Sequence, residues 1–455
     1  MSNDIKEENK NEIILNEKEN KKELENVPPI KEEITNLDKP FYSDEIKTIY
    51  KINNTPLIKE ISILKTKNNP PTRAYLTADY SPINNSIICI GGSDQSCTQY
   101  NIINEYNVKD NIWKSWNNEE QNELGLELSG HTSNLIKINK KEYIYIFGGY
   151  DNWKNEFSGQ SYLIDISNKY FQKINYIYPK DDKIVEFPQP RSYHTSNYDE
   201  EKQIIYIYGG TNMNINHGKN NNFQSVWAFL LDKKIWEKIE ISNFNQSGAP
   251  RGHSSILLND KLYIFGGIVL FKKFQNKLYV IDLKEKKLEN IEYEKNQGVV
   301  PKPMAFHNAI LLDEEKFLIH GGLDKNYNAI NDVYIYYFDE KKFDKITIPL
   351  IPNLFGHKIV MSNTKNKLYI IGGMDNFKYV GDENLIYQVD EDGGILFNKN
   401  EGQIEFNPMF NILEIVLNRE EEKNKDNLRI NEEKVNNRIV VKNKKWKKLF
   451  YISDK

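Results

Sequence analysis

The sequence is poor in the features that mark secreted, membrane-spanning and nucleic-acid-binding proteins. It has two cysteines, Cys89 and Cys97, in 455 residues, which favours a reducing compartment because two cysteines cannot staple a chain of this length. The formal net charge is -4, so no overall field attracts nucleic acid or an anionic membrane. No apolar run approaches the roughly 18 residues of a membrane helix, and the first residues are polar and charged rather than a secretory signal. We therefore expect a cytoplasmic protein with neither a nucleic-acid nor a membrane partner.

Helical periodicity is also scarce. No segment shows the apolar helical pattern of about 10–15 residues that alternates with strands in α/β proteins. Aromatic residues make up 12% of the chain, and together with isoleucine they favour the half-buried pleated surface of a sheet. Residues 1–44 are highly charged and contain too few apolar residues to offset chain entropy, so we predict a disordered N-terminal segment there.

Between the charged ends the sequence repeats. A Gly-Gly pair follows a short apolar segment six times, at Gly91–Gly92, Gly148–Gly149, Gly209–Gly210, Gly266–Gly267, Gly321–Gly322 and Gly372–Gly373. A histidine lies 13–17 residues before five of these pairs, at His131, His194, His253, His307 and His357, and Leu76 takes its place in the first repeat. After most pairs, two apolar residues lie seven positions apart around a polar turn, as Phe229 and Trp236 do. Each repeat is therefore predicted to form four short strands.

These three marks together resemble the Kelch-repeat proteins, and the resemblance covers residues 45–400. It implies an all-β propeller, in which four-stranded blades pack radially and leave only short edges. The first glycine of each pair is expected to end an inner strand where a side chain would clash, and the second to turn the chain through a positive φ. WD-repeat proteins would show a Trp-Asp pair in each blade, and the sequence has none.

Ring closure is left open by the sequence. Six blades are favoured, and a seventh could be built from one end of the chain and the glycine-poor segment 405–418. Residues 49–61 and 439–451 both resemble the third and outer strands of a repeat, so either end could close the ring. Residues 401–455 are therefore taken as a charged C-terminal extension that is one candidate source of a closing strand.

The repeat histidines suggest a metal cluster by number, but their regular spacing of one per blade favours a structural role. Glu123, Glu127 and His131 match the Glu-x3-Asp-x3-His iron triad of nitrile-specifier-like proteins, with glutamate in place of aspartate. His131 is, however, already the repeat histidine of its blade. No copper site like that of galactose oxidase, phosphate-cradling loop or zinc spacing is found. We therefore expect no catalytic residue, metal or cofactor. The alternative is a Kelch-fold enzyme with a metal- or sugar-binding site in the axial cavity.

A binding function fits the sequence better. In Kelch propellers one face of the ring carries the loops after each Gly-Gly pair and the residues just before each repeat histidine; we call it the loop face. Tyrosine, tryptophan and arginine are frequent at binding hot spots. No BTB or F-box segment stands out. We predict a monomeric, non-enzymatic scaffold or adaptor that docks an unidentified protein partner on this face. The predicted contact residues are Arg73, Tyr75, Tyr150, Asp151, Trp153, Arg191, Tyr193, Asp324, Tyr327 and Asp375.

Overall fold

The computed structural model describes most of the repeat region. The described residues are 41–42, 47–51, 57–64, 66–94, 103–116, 127–151, 154–176, 186–212, 222–244, 250–269, 273–293, 298–348, 351–375, 378–380, 403–405, 412–417, 434–435 and 438–439. Regular structure in these ranges is β-strand, and no α-helix occurs in them. They accordingly contain no helix able to cross a bilayer.

Five sheets share one plan, with four antiparallel strands in chain order. Blade 1 contains Thr77–Ser81, Ser86–Ile90, Asn104–Asn107 and Ile112–Ser115. Blade 2 contains Thr132–Ile138, Lys141–Phe147, Ser161–Asp165 and Tyr170–Lys173. Blade 3 contains Thr195–Asp199, Ile204–Tyr208, Val226–Leu230 and Ile235–Ile239. Blade 4 contains Ser254–Leu258, Lys261–Phe265, Leu278–Asp282 and Lys287–Ile291. Blade 5 contains Asn308–Asp313, Lys316–His320, Val333–Tyr337 and Lys342–Ile346.

The sixth blade joins the two ends of the chain. It contains Lys358–Met361, Lys367–Ile371, Ile412–Leu417 and Ile58–Leu64, and it is extended by Lys47–Lys51 and Phe41–Tyr42. Leu413 pairs with Ile370 on one side and with Ile63 on the other. Within the segment 405–418, Ile412–Leu417 therefore supplies the third strand of blade 6 rather than part of a seventh blade, and the N-terminal strand Ile58–Leu64 closes the ring.

Short strand pairs lie outside the blades. They are Tyr150–Asp151 with Glu156–Phe157, Ile268–Val269 with Lys273–Phe274, Met304–Ala305 with Leu323–Asp324, Lys378–Val380 with Gln403–Glu405, and Lys434–Val435 with Arg438–Ile439. The inner strands of the six blades contact one another in a closed cycle around an axis. The predicted six-bladed β-propeller is confirmed.

The seven-residue spacing in the sequence is a direct cross-strand pair. Phe229 lies opposite Trp236 on the neighbouring strand of blade 3, with ring centroids 5.0 Å apart. Tyr145 of blade 2 stacks on the same Phe229 at 5.1 Å, and Phe229 is fully buried. Burying one such ring contributes about 1.5–3 kcal/mol. This aromatic pair therefore holds blade 3 together and also packs it against blade 2.

Both glycines of each pair have a positive φ, whereas the sequence predicted it for the second alone. Gly209 and Gly210 have φ of 68° and 84°. A Cβ on Gly209 would lie 2.5 Å from the His253 ring of the next blade, and one on Gly210 would lie 2.6 Å from the Ser192 carbonyl oxygen. The glycine and histidine marks are thus two halves of one contact between adjacent blades.

Candidate functional site

A belt of histidines surrounds the axis, and each imidazole bonds to the blade before it. His131 Nε2 lies 3.0 Å from Thr77 Oγ1, and the same contact joins His194 to Thr132, His253 to Thr195 and His307 to Ser254 at 2.8–3.0 Å. His357 instead pairs with His320, Nε2 to Nδ1, at 3.0 Å. Burial lowers the pKa of His131, His253 and His307 to about 3. The belt is therefore neutral at ordinary pH, and its Nε2 atoms are occupied.

Three aromatic rings close the axis at the loop face. Tyr75, Tyr193 and Phe306, which we call the aromatic hub, have ring centroids 5.2–5.5 Å apart in edge-to-face contacts. They alternate with glycines, because a Cβ on Gly130 would lie 2.8 Å from the Tyr193 ring and one on Gly252 would lie 2.8 Å from the Phe306 ring. The three rings of the hub therefore fill the axis at the loop face.

A closed circle of backbone hydrogen bonds supports the hub. At this level each blade donates an N–H to the carbonyl of the equivalent residue one blade back, through Tyr75, Gly130, Tyr193, Gly252, Phe306 and Gly356 at 2.7–3.0 Å. Beneath the hub lies a cavity of about 80 Å³, bounded by the histidine belt. No group of three metal-binding side chains occurs in the described part of the chain. Two residues matched the iron-triad spacing together with Glu127. Of these, His131 bonds Thr77 through its ring, and Glu123 lies outside the described residues.

The two predicted arginines lie beneath the loop face rather than on it. Arg73 and Arg191 are each 1% exposed. The Arg191 guanidinium donates to the carbonyl oxygens of Gln189 and Gly209 at 3.0 and 3.1 Å and lies 4.3 Å from the Phe223 ring centroid. Burial lowers the pKa of Arg191 to about 9. Its position indicates that Arg191 supports the loops and offers a partner little surface.

The other predicted residues are spread around the loop face. Tyr75 and Tyr193 are half-buried in the hub. On blade 2, the Tyr150 ring packs on Phe157 at 4.9 Å. Asp151 is 5% exposed and accepts hydrogen bonds from the Lys154 backbone N–H at 3.0 Å and Nζ at 2.9 Å.

On blade 5, Asp324 accepts the backbone N–H groups of Asn326 and Asn328, at 2.8 and 2.9 Å, and Tyr327 packs on Phe274 at 5.2 Å. Asp375 is partly exposed beside blade 6. Trp153 lies outside the described residues. The structure thus places most of the predicted residues on one face, and their role in partner binding stays a prediction.

A groove that sequence reasoning missed opens where blades 2 and 3 meet the loop face. This blade 2–3 groove encloses about 600 Å³ and is lined by Leu128, Asp151, Lys154, Glu156, Phe157, Ser158, Gly159, Gln160, Tyr162, Lys173, Ile174, Asn175, Tyr176, Phe187, Pro188 and Pro190. Its lining carries two lysines and two carboxylates, so their charges balance. One wall comes from the linker 186–190 between the blades. The phenylalanine and prolines of this linker were the only feature of the sequence that could have indicated the groove.

The groove differs from the axis in its polar groups. Tyr176 donates its hydroxyl hydrogen to Ser161 Oγ at 2.9 Å and so fixes one wall, and its ring packs on Phe187 at 5.4 Å. The Tyr162 hydroxyl and the Gln160 and Asn175 side-chain amides line the groove and make no hydrogen bond with any other described residue. Burial raises the pKa of Tyr162, so its hydroxyl keeps its proton and can donate. The groove can therefore receive an apolar chain and donate hydrogen bonds to its carbonyl groups.

Comparison with known proteins agrees with the fold. Residues 130–373 match the family described as the KLHDC2/KLHL20/DRC7 Kelch-repeats domain. The chain is 22% identical over 322 residues to Mei4-dependent protein 6 of Schizosaccharomyces pombe, covering 65% of this chain and 44% of that protein. It is 25% identical over 216 residues to host cell factor of Drosophila melanogaster, covering 42% and 13%.

A third relative is Kelch domain-containing protein 10 of Xenopus tropicalis, with 24% identity over 185 residues that cover 40% of each chain. The chain thus spans less than half the length of these curated relatives. The family match covers more than half of this chain, and the matched residues contain five of the six Gly-Gly pairs and the five histidines that join blade to blade. This chain belongs to the Kelch-repeat proteins.

Proposed function

We propose that this chain is a non-enzymatic binding platform and that the blade 2–3 groove on its loop face receives a segment of a protein partner. The observation that carries this proposal is the contrast between a filled axis, with a cavity of about 80 Å³, and an open groove of about 600 Å³. Around the axis the histidine Nε2 atoms are occupied by neighbouring blades. In the groove, a tyrosine hydroxyl and two amides line a space large enough for several side chains.

The chemistry of the lining specifies the occupant. Aromatic rings and prolines offer flat apolar surfaces, and Tyr162, Gln160 and Asn175 offer hydrogen-bond donors. Extended, proline-bearing segments have no internal hydrogen bonds, so their carbonyl groups accept such donors while their rings pack on aromatic surfaces. Because the charges of the groove balance, an uncharged segment fits best. The partner is therefore expected to present an extended, uncharged, proline-bearing segment.

Affinity purification followed by mass spectrometry tests this proposal with a matched pair of variants. The groove variant is Lys173→Glu with Asn175→Arg, and the control is Lys325→Glu with Asn328→Arg on the blade 5 loop. All four side chains are exposed, and the two variants change charge identically. We expect the groove variant to capture at least about tenfold less partner than the wild type, which corresponds to a loss of about 1.4 kcal/mol of binding free energy. The control variant should capture as much partner as the wild type. Equal capture by the two variants, at equal thermal stability, would contradict the proposal.

A further inference from the structure

The boundary between blades 6 and 1 lacks both members of the hydroxyl–histidine contact. Blades 1 to 4 begin their inner strands with the hydroxyl residues that bond the next histidine, whereas blade 6 begins with Lys358. The residue facing it from blade 1 is Leu76, which takes the place of the histidine and packs against Gly372. A lysine and a leucine thus replace the hydroxyl and the imidazole at the same boundary.

Lys358 lines the cavity on the axis. Burial is the main reason that the pKa of His131, His194 and His357 is lowered, and the positive charge of Lys358 adds to the shift on these three blades. Burial in turn lowers the pKa of Lys358 itself, and Asp79 opposes that shift. Among the described residues, Lys358 Nζ makes no ion pair and no hydrogen bond. The carboxylate of Asp79 is engaged instead with the Ser133 hydroxyl and, at 3.0 Å, with the Leu135 N–H.

The cavity beneath the hub brings Lys358 together with a second donor. Asn308 lines the same cavity, and its Oδ1 accepts the Ile359 N–H at 3.1 Å, which leaves its amide nitrogen as a donor. The cavity volume of about 80 Å³ admits a halide but not a bulky organic anion. Lys358 is partly exposed and makes no ion pair with a described residue, so its charge favours an anion in the cavity that it lines. The hub blocks the loop-face mouth to a partner's side chain. We infer that Lys358 and Asn308 hold a small monovalent anion, of the size of chloride or bromide, on the propeller axis.

Crystals grown in sodium bromide test this directly, because bromide scatters anomalously. The wild-type protein should show an anomalous peak on the axis within contact distance of Lys358 Nζ, and Lys358→Met should lack it. Lys141→Met serves as the control, because Lys141 is exposed at the start of a blade 2 strand. An axial peak that persists in Lys358→Met, or no axial peak in the wild type, would overturn the inference. The wild-type crystal decides even if Lys358→Met fails to fold.

A solution measurement tests the same site without crystals. Replacing sodium gluconate by sodium bromide at constant ionic strength should raise the thermal midpoint of the wild type by about 1–3 °C, since an anion that binds only the folded state stabilises it. The same exchange should leave Lys358→Met unchanged and should raise Lys141→Met as much as the wild type. An equal rise in all three proteins would show a general salt effect and would refute a site at Lys358.

Discussion

The axis and the blade 2–3 groove both bring aromatic and polar side chains together, but they do so in opposite ways. At the axis, histidines bond hydroxyls of the neighbouring blade and three rings fill the centre. In the groove, aromatic rings stand around open space, and Tyr162 and two amides have no described hydrogen-bond partner. A buried hydrogen bond between two blades stabilises the fold, whereas an accessible polar group beside open space can bind a ligand. The contrast separates residues that build the propeller from those that can recognise a partner.

The largest expected effect on the axis comes from acid. The folded pKa of His131, His253 and His307 is about 3, below the value of about 6.5 in an unfolded chain. Between these values the unfolded chain binds more protons, so stability is complete above about pH 6.5 and is lost as pH falls. Each histidine steepens that loss by up to about 1.4 kcal/mol per pH unit. The thermal midpoint should fall steeply from pH 6.5 to 4.5, and a flat profile between pH 7 and 5 would contradict a neutral belt.

Next in size is a pair of glycine substitutions, one at each region. Gly210→Val should cost more than about 3 kcal/mol of unfolding free energy, because the position has a positive φ of 84° and its Cβ would meet the Ser192 carbonyl. In the groove, a Cβ on Gly159 would meet only the Pro190 ring at 3.2 Å, so Gly159→Ala should cost less than about 1 kcal/mol. Chemical denaturation measures both. Similar costs would remove the distinction between the regions.

The smallest effects come from removing one hydroxyl group from each region. Thr132→Val takes away the partner of His194 Nε2, 2.9 Å distant, and should cost about 1–3 kcal/mol because a buried nitrogen is left unsatisfied. Tyr162→Phe removes a hydroxyl with no described partner and should change stability by less than about 0.5 kcal/mol. The same Tyr162→Phe protein should bind the partner more weakly. If Tyr162→Phe destabilised the fold as much as Thr132→Val, the groove would be a structural element.

The sequence predicts the parts of this molecule that repeat. The Gly-Gly pairs, the histidines and the seven-residue spacing that pairs Phe229 with Trp236 recur with each blade, so they can be recognised without coordinates. The pairing of four belt histidines with a hydroxyl of the preceding blade joins residues more than 50 positions apart, and nothing local encodes it. The sequence also left open which strand closes the ring, because a segment near each end of the chain resembles a repeat strand. The structure closes it by pairing Ile58–Leu64 with Ile412–Leu417.

The candidate site was harder to predict than the fold. Arg191 is a typical hot-spot residue by type, yet the backbone carbonyls of Gln189 and Gly209 hold it beneath the loops. Burial of that kind depends on how two loops meet, and residue type alone does not show it. The groove depends on the path of the linker that carries Phe187 and Pro188, which the sequence marks only as a connection between blades. Loop geometry rather than composition therefore decides where a partner can dock.

Cross-linking of the captured complex tests the central claim most directly. Lys154 and Lys173 line the groove, whereas Lys273 and Lys325 are exposed beside blades 4 and 5. An amine-reactive cross-linker followed by mass spectrometry should join the partner chiefly to Lys154 and Lys173, near a proline-bearing segment of the partner. Cross-links that concentrate on Lys273 and Lys325, with none at the groove lysines, would contradict partner binding at the blade 2–3 groove.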